Sequence, residues 1–145
     1  ISLGCSRTYG IGQIEMMRKT DWSYQTELFE GIKFAKAGNH LNDISVAIQK
    51  YAESFGFGVV RDLVGHGIGS HLHEDPEIPN FARKRKGILL QPGMTLAIRA
   101  DDHRGSYEVV WLDDDWTVMT EDGGWAAHYE NTILITENEP EILSL

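Results

Sequence analysis

The sequence has little cysteine and no long apolar run, and these absences set its first limits. Cys5 is the single cysteine in 145 residues, so neither an internal disulfide nor a zinc–thiolate cluster can form. No stretch approaches the roughly 18 uninterrupted apolar residues that a membrane-spanning helix needs. We therefore expect a cytoplasmic protein that makes no contact with a membrane.

Positive charge is also scarce. The chain has 13 Lys and Arg against 22 Asp and Glu, which gives a net charge of −9 at pH 7. Such a chain repels phosphate groups, so binding of nucleic acid is not expected, whereas binding of cations is compatible with the charge. Residues 1–7 lack the charged start and apolar stretch of a secretion signal, and no initiator methionine precedes them. We expect a processed or excised piece on these grounds.

Two short charged runs interrupt the mixed surface pattern. Residues 83–86 read Arg-Lys-Arg-Lys, and residues 113–115 are three aspartates. The basic run lies near glycine and proline and predicts a solvated loop or hairpin tip. The aspartates predict a hairpin turn, because the roughly twelve-residue ligand spacing of a calcium loop does not follow them.

The order of periodic patterns predicts two helices followed by an antiparallel sheet. Apolar residues at helical spacing predict helices over residues 20–37 and Leu41–Ser54. A strand is expected within residues 1–12 and another over residues 59–63. Later β-rich runs between turn residues predict strands over residues 94–99, 107–112, 116–120 and 128–136. We find no repeat or linker, so residues 1–145 are expected to form a single α+β domain with the helices on one sheet face.

Three of the six histidines, His66, His71 and His73, lie close together in residues 64–81, where glycines alternate around His66. Alternating glycines suit a backbone that turns sharply or passes close to another group. Neutral imidazole binds divalent transition metals and carries protons near neutral pH, and nearby carboxylates can complete a metal site or orient the histidines. The alternative is a glycine-rich loop with solvated histidines. The clustering favours the functional interpretation.

The same stretch begins a series of motifs that runs along nearly the whole chain. Val-Gly-His-Gly-Ile-Gly at residues 64–69 precedes Leu-His-Glu-Asp-Pro at residues 72–76. Further motifs occupy residues 6–9, 78–81, 90–98, 107–109, 115–118 and 128–132. In this order and spacing they closely resemble bacterial type I methionine aminopeptidases of metallopeptidase family M24. The resemblance implies the C-terminal part of the "pita-bread" fold, incomplete at its N-terminus.

The resemblance also implies a reaction and its participants. The family removes N-terminal methionine from peptides and nascent proteins, so peptide or protein N-termini are the expected partners. Two divalent metal ions, such as cobalt, manganese, iron or zinc, activate a water molecule that attacks the first peptide carbonyl. By motif position, His66 matches the histidine ligand, and Glu130 matches the last, bridging glutamate. His73 matches the catalytic histidine that contacts the substrate.

Three of the five metal ligands that the resemblance implies have no counterpart. The family's second aspartate falls on Gly4, the first would precede Ile1, and the first glutamate falls on Arg99. Only His66 and Glu130 remain. A positive charge about 5 Å from a divalent ion, at an effective dielectric constant of about 20, costs roughly 6–7 kcal/mol. We therefore expect metal to bind weakly or not at all.

Two fates of the altered site follow from the residues around Arg99. Asp101, Asp102 or His103 could return as substitute ligands. Alternatively, Arg99 could form an ion pair with Glu130 across neighbouring strands and neutralise it without any ion. We favour the ion pair.

Three hypotheses about function remain open at this point. The chain is a methionine aminopeptidase relative with impaired or lost activity, a metal-free module that binds peptide N-termini or another protein, or one part of a two-part enzyme. Arg99 argues against the third hypothesis, because a partner cannot remove its charge. The incomplete sheet also predicts self-association through exposed strand edges, or cover from residues 1–20.

Overall fold

An antiparallel sheet and two helices make up the part of the chain that the structure describes, residues 2–9, 25–105 and 107–144 of a computed structural model. Helix α1 includes residues 25–32, and helix α2 is Leu41–Ser54. The strands are β1 Cys5–Arg7, β2 Gly58–Val59, β3 Gly65–Gly67, β4 Glu74–Ile78, β5 Thr95–His103, β6 Val109–Trp111, β7 Val118–Thr120, β8 Ala126–Leu134 and β9 Glu141–Ile142. The α+β fold class is confirmed.

Strands β5 and β8 form the centre of the sheet. The order is β1-β8-β5-β3-β4, with β2 also paired to β5 and β9 to β8, while β6 and β7 form a separate two-stranded sheet. The antiparallel register of β5 and β8 runs from Thr95 opposite Leu134 to His103 opposite Ala126. Side chains directly opposite in such a ladder share a face. This register therefore decides which polar residues meet.

The helices bury their apolar stripes against one face of this sheet. Helix α2 buries Leu41, Ile44 and Ile48, as its spacing predicts. Asp43 lies in its first turn and accepts a hydrogen bond of 2.8 Å from the backbone N–H of His40, which satisfies a donor at the helix start. The core combines these residues with side chains from α1 and the sheet, chiefly Leu28, Ile32, Ile78, Leu96, Ile98 and Ile133.

Several predicted boundaries were wrong. Helix α1 ends near residue 32 rather than 37, because Phe34 and Ala35 bond to carbonyls only three residues back and tighten the chain into turns; residues 20–24 lie outside the described residues. The strand predicted over residues 59–63 is limited to Gly58–Val59, after which the chain bends.

The central strands also differ from their predicted limits. Strand β5 continues to His103, four residues beyond the predicted end, and β8 begins and ends two residues earlier than predicted. Asp101, Asp102 and His103 look like loop residues in the sequence. They are buried and paired with β8 because the long ladder extends through them.

Both charged runs lie where the sequence predicts. Residues 83–86 form an exposed loop. Residues 113–115 lie in the turn between β6 and β7, where Asp114 accepts hydrogen bonds from the backbone N–H groups of Trp116 and Thr117. Asp115 adopts a left-handed backbone with φ 54°. Among the described residues, no helix is both long and apolar enough to cross a bilayer.

Candidate functional site

The arm formed by β3 and β4 brings two of the predicted site residues together. An added Cβ at Gly67 would lie 2.1 Å from the backbone oxygen of Asp75, so only glycine fits where the two strands cross so closely. The rings of His66 and His73 consequently lie in contact, with their centroids 4.3 Å apart and their planes tilted by 60°. The sequence predicted both residues, and the fold places them side by side.

Local hydrogen bonds orient this arm. His66 Nδ1 lies 2.9 Å from the carbonyl oxygen of Gly67, so a proton on Nδ1 is donated there and the Nε2 lone pair is left for another partner. The Glu74 carboxylate accepts hydrogen bonds from the His71 N–H at 2.7 Å and the Ser70 hydroxyl at 3.0 Å. These bonds, the first of them above all, lower the pKa of Glu74. His66 is half-buried, whereas His73 is exposed.

Gly4 and Glu130 lie next to each other on the opposite side of the site. Thr132 holds Gly4 in place through bonds of 3.0 Å from the Gly4 N–H and 2.9 Å to its carbonyl oxygen. An added Cβ at Gly4 would lie 2.8 Å from Glu130 Oε1. An aspartate at this position would therefore place a carboxylate beside Glu130, the arrangement that a metal-bridging pair requires. Gly4 supplies no donor atom.

Arg99 lies directly opposite Glu130 in the ladder, yet its charge is neutralised elsewhere. Its guanidinium binds Asp101 through Nε at 2.5 Å and Nη2 at 3.2 Å. The predicted ion pair between Arg99 and Glu130 was wrong. The reason is the period of the strand: Asp101, two residues along, points to the same face and presents both carboxylate oxygens to the guanidinium.

His128 lies between the two carboxylates of this region. Its Nδ1 lies 2.5 Å from Asp101 Oδ1, and its Nε2 lies 3.8 Å from Glu130 Oε2. Burial would raise the pKa of Asp101, but the His128 hydrogen bond and the charge of Arg99 outweigh burial and lower it. Sequence reasoning missed this role. His128 stands two residues before Glu130 in a strand, and that spacing was the available signal.

Asp102 and His103 are the other candidate substitutes for lost ligands, and both are fully buried. Asp102 alternates to the face opposite Asp101. Burial on that face raises the pKa of Asp102 to about 6, although its interaction with Glu27 opposes the rise. The pKa of Glu27 is raised to about 12, mainly by burial and to a smaller extent by the neighbouring Asp102. Among the described residues, neither ring nitrogen of His103 has a hydrogen-bond partner, whereas the carboxyl groups of Asp102 and Glu27 interact with each other.

The donor set does not fit a dinuclear metal centre. Over residues 2–9, 25–105 and 107–144, no three His, Cys, Asp or Glu side chains are arranged so that they could hold one ion. Asp101 is committed to Arg99 and His128. A fixed guanidinium in place of a carboxylate also opposes a divalent cation.

A cavity of about 280 Å³ adjoins Arg99, Asp101 and His128. Its walls are largely apolar and include Val60, Leu63, Val109, Val118, Ala126 and Ala127. A larger groove of about 590 Å³ lies beside α2 and contains none of the predicted site residues. We assign the functional region to the smaller cavity, because Arg99, Asp101 and His128 converge in its lining.

Comparison with known proteins identifies the ancestry of this arrangement. The sequence model of metallopeptidase family M24 matches residues 4–137. The chain belongs to metallopeptidase family M24. The methionine aminopeptidase of Clostridium acetobutylicum is 52% identical over 141 residues, which cover 97% of this chain and 56% of that protein. Methionine aminopeptidase 1 of Bacillus subtilis is 46% identical over 94% of this chain and 56% of its own length.

Solved structures of M24 relatives confirm the predicted pita-bread fold. Methionine aminopeptidase from Thermotoga maritima is 45% identical with a TM-score of 0.90, over 97% of this chain and 58% of that one. The enzyme from Rickettsia prowazekii is 35% identical with a TM-score of 0.93, over 99% and 58%. The M24 chain described here thus spans little more than half the length of the relatives it matches.

Proposed function

We propose that this chain is a methionine-aminopeptidase-like protein in which metal-dependent removal of N-terminal methionine is impaired or lost. The observation that carries the proposal is the ion pair between Arg99 and Asp101, which places a guanidinium instead of a metal-binding carboxylate opposite Glu130 and occupies the nearby Asp101. The arginine is only 20% exposed and the aspartate 8%, so both are held in place. Cytoplasmic peptide and nascent-protein N-termini are the proposed substrates or ligands, because the relatives are named methionine aminopeptidases.

Metal content and turnover test the proposal directly. We expect the purified chain to hold less than about a tenth of an ion and to leave a fluorogenic methionyl peptide uncleaved with added cobalt or manganese, because like charges repel. Robust turnover that scales with metal concentration would refute the proposal.

A gain-of-binding variant sharpens the same test. The double variant Gly4→Asp/Arg99→Glu restores two carboxylates beside Glu130. Recovering even about 2.7 kcal/mol of the estimated repulsion corresponds to about 100-fold tighter binding of manganese, measured by titration calorimetry. The matched control Gly4→Asp/Arg83→Glu makes the same change in net charge at an exposed arginine. If both variants bind manganese equally, bulk charge and not the site controls affinity.

A metal-free binding role is the second candidate, and the exposed His73 beside His66 favours it. Peptides with a free N-terminal methionine should bind more tightly than N-acetylated copies, and His73→Ala should remove the difference. Equal binding of the two peptides would count against this role.

For the two-part enzyme, a partner chain would have to supply aspartates in the presence of Arg99. The outer edges of β1 and β4 are the proposed surfaces for self-association.

A further inference from the structure

The segment of residues 107–125, which we name the acidic aromatic hairpin, is set apart from the rest of the chain by its charge. It contains β6, β7 and the residues around them, and it has no lysine or arginine. Its six carboxylates are Glu108, Asp113, Asp114, Asp115, Glu121 and Asp122. All of these residues are exposed. The segment therefore concentrates negative charge on one projecting element.

The same hairpin exposes large aromatic side chains. Trp116 at the turn is 85% exposed, Trp111 is 56% exposed and Trp125 is 51% exposed. Single exposed apolar residues are ordinary, but a cluster of them marks an interaction surface. Val110 and Met119 are also exposed and lie opposite each other in the ladder, on the face that Trp111 does not share. Both faces of the hairpin thus carry apolar groups in contact with water.

The hairpin stands outside the main sheet. Among the described strands, β6 and β7 pair only with each other. A two-stranded sheet is marginally stable by itself in water, and its outer edges present backbone groups to a further strand. An extended segment laid along this hairpin would find apolar surface, carboxylates and backbone partners together.

We propose that the acidic aromatic hairpin docks an extended polypeptide segment rich in lysine or arginine. Indole rings are the strongest side-chain acceptors of cation–π contacts, and the flanking carboxylates add charge attraction. An example lies at the base of the hairpin, where the Arg61 guanidinium stacks 3.8 Å from the centroid of the Tyr107 ring. The proposed docking surface is the exposed turn and outer edges of the hairpin, whereas its residues Val109, Val118 and Met119 also line the cavity of the candidate site.

The charge of the whole chain selects this partner over a second copy. A copy would offer its exposed loop at residues 83–86, which carries four positive charges. The net charge of −9 on each chain nevertheless disfavours binding of a second copy at the acidic hairpin itself, whereas a cationic segment is attracted both by the chain and by the hairpin.

Binding of defined peptides tests the proposal. The probe is a fluorescein-labelled peptide of about ten residues that alternates lysine and serine, and a glutamate–serine peptide is the negative control. We expect anisotropy to report binding of the lysine peptide alone. Trp116→Ser should weaken binding about threefold, as expected for an exposed cation–π contact. Asp113→Asn/Asp115→Asn should weaken it further and reduce its dependence on salt; asparagine tolerates the left-handed backbone at residue 115.

Matched controls make each outcome decisive. Glu53→Gln/Glu137→Gln removes two exposed carboxylates outside the hairpin and should change affinity less than about twofold. Equal weakening by this control, or no binding of the lysine peptide, would overturn the proposal. Light scattering measures the oligomeric state. A dimer that is lost both in Trp116→Ser and in Arg83→Glu/Arg85→Glu would show that the hairpin binds a second copy, which would overturn the proposal. Circular dichroism confirms that each exposed substitution leaves the fold intact.

Discussion

The two walls of the candidate site differ in what holds their residues in place. On the β3–β4 wall, close backbone contacts at Gly67 fix the strands and bring His66 and His73 together. On the wall formed by β1, β5 and β8, the positions that matter are defined by side chains alone. Gly4 contributes none, and Arg99 contributes the opposite charge to the expected glutamate.

The comparison separates ancestry from activity. The fold needs a glycine at position 67, where the backbone packs closely, whether or not a metal binds. Side chains that project from an otherwise regular strand can change without moving the strand, provided that their charge finds a partner. Asp101 gives Arg99 such a partner. The family is recognisable from motifs on both walls, while the proposed loss of activity depends on the side chains of the β1, β5 and β8 wall.

The largest predicted effect is the difference in unfolding free energy between breaking an ion pair on one wall and breaking one on the other. Asp101→Ala leaves the largely buried Arg99 without its carboxylate and should lower the free energy of unfolding by about 3 kcal/mol. On β4, Glu77 forms an exposed ion pair with Arg83 at 3.6 Å. Glu77→Ala removes this pair and should change the free energy of unfolding by less than about 1 kcal/mol. Urea denaturation measures both. Equal losses would show that the Arg99 pair is no more than a surface contact.

The second prediction contrasts two glycines. Gly67→Ala forces a methyl group against the backbone of Asp75 and should cost about 1–3 kcal/mol, as overpacking does. Gly4→Ala meets only the end of the Glu130 side chain, which can rotate away, and should cost less than about 1 kcal/mol. Thermal unfolding of the two variants decides the order. A greater loss in Gly4→Ala would contradict our distinction between the walls.

The third prediction concerns the buried acids behind the second wall. The pKa of Glu27 is raised from its ordinary value of 4.5 to about 12, so the folded chain keeps a proton that the unfolded chain releases. Between these values, the free energy of unfolding should fall by up to about 1.4 kcal/mol per pH unit, because the unfolded state binds fewer protons. Measurements from about pH 7 to 9 avoid most of the Asp102 titration.

Two variants test the origin of that slope. Glu27→Gln cannot ionise and should flatten the decline of stability with pH, whereas Glu53→Gln, an exposed change on α2, should leave it in place. An unchanged slope in Glu27→Gln would mean that other groups cause the pH dependence.

Much of the fold was predictable because its signals are local. The spacing of Leu41, Ile44 and Ile48 located α2 with its correct ends. The ends of β5 were not predictable, because Asp101, Asp102 and His103 are buried by distant partners that no local pattern reveals. For the site, His66, His73, Glu130 and the substituted positions Gly4 and Arg99 followed from motif positions. The assignment of a single domain over residues 1–145 stays a prediction.

The sequence by itself determined the family and the α+β class, since residue identity and spacing carry that information, and it predicted from motif positions that Gly4 and Arg99 stand where the family has carboxylates. Only the tertiary structure decided that Arg99 pairs with Asp101 rather than Glu130, and that His128 lies between the carboxylates of Asp101 and Glu130. The physical reason is that charge interactions depend on distance and direction across strands. The β5–β8 register sets both, and it is fixed by packing over the whole ladder.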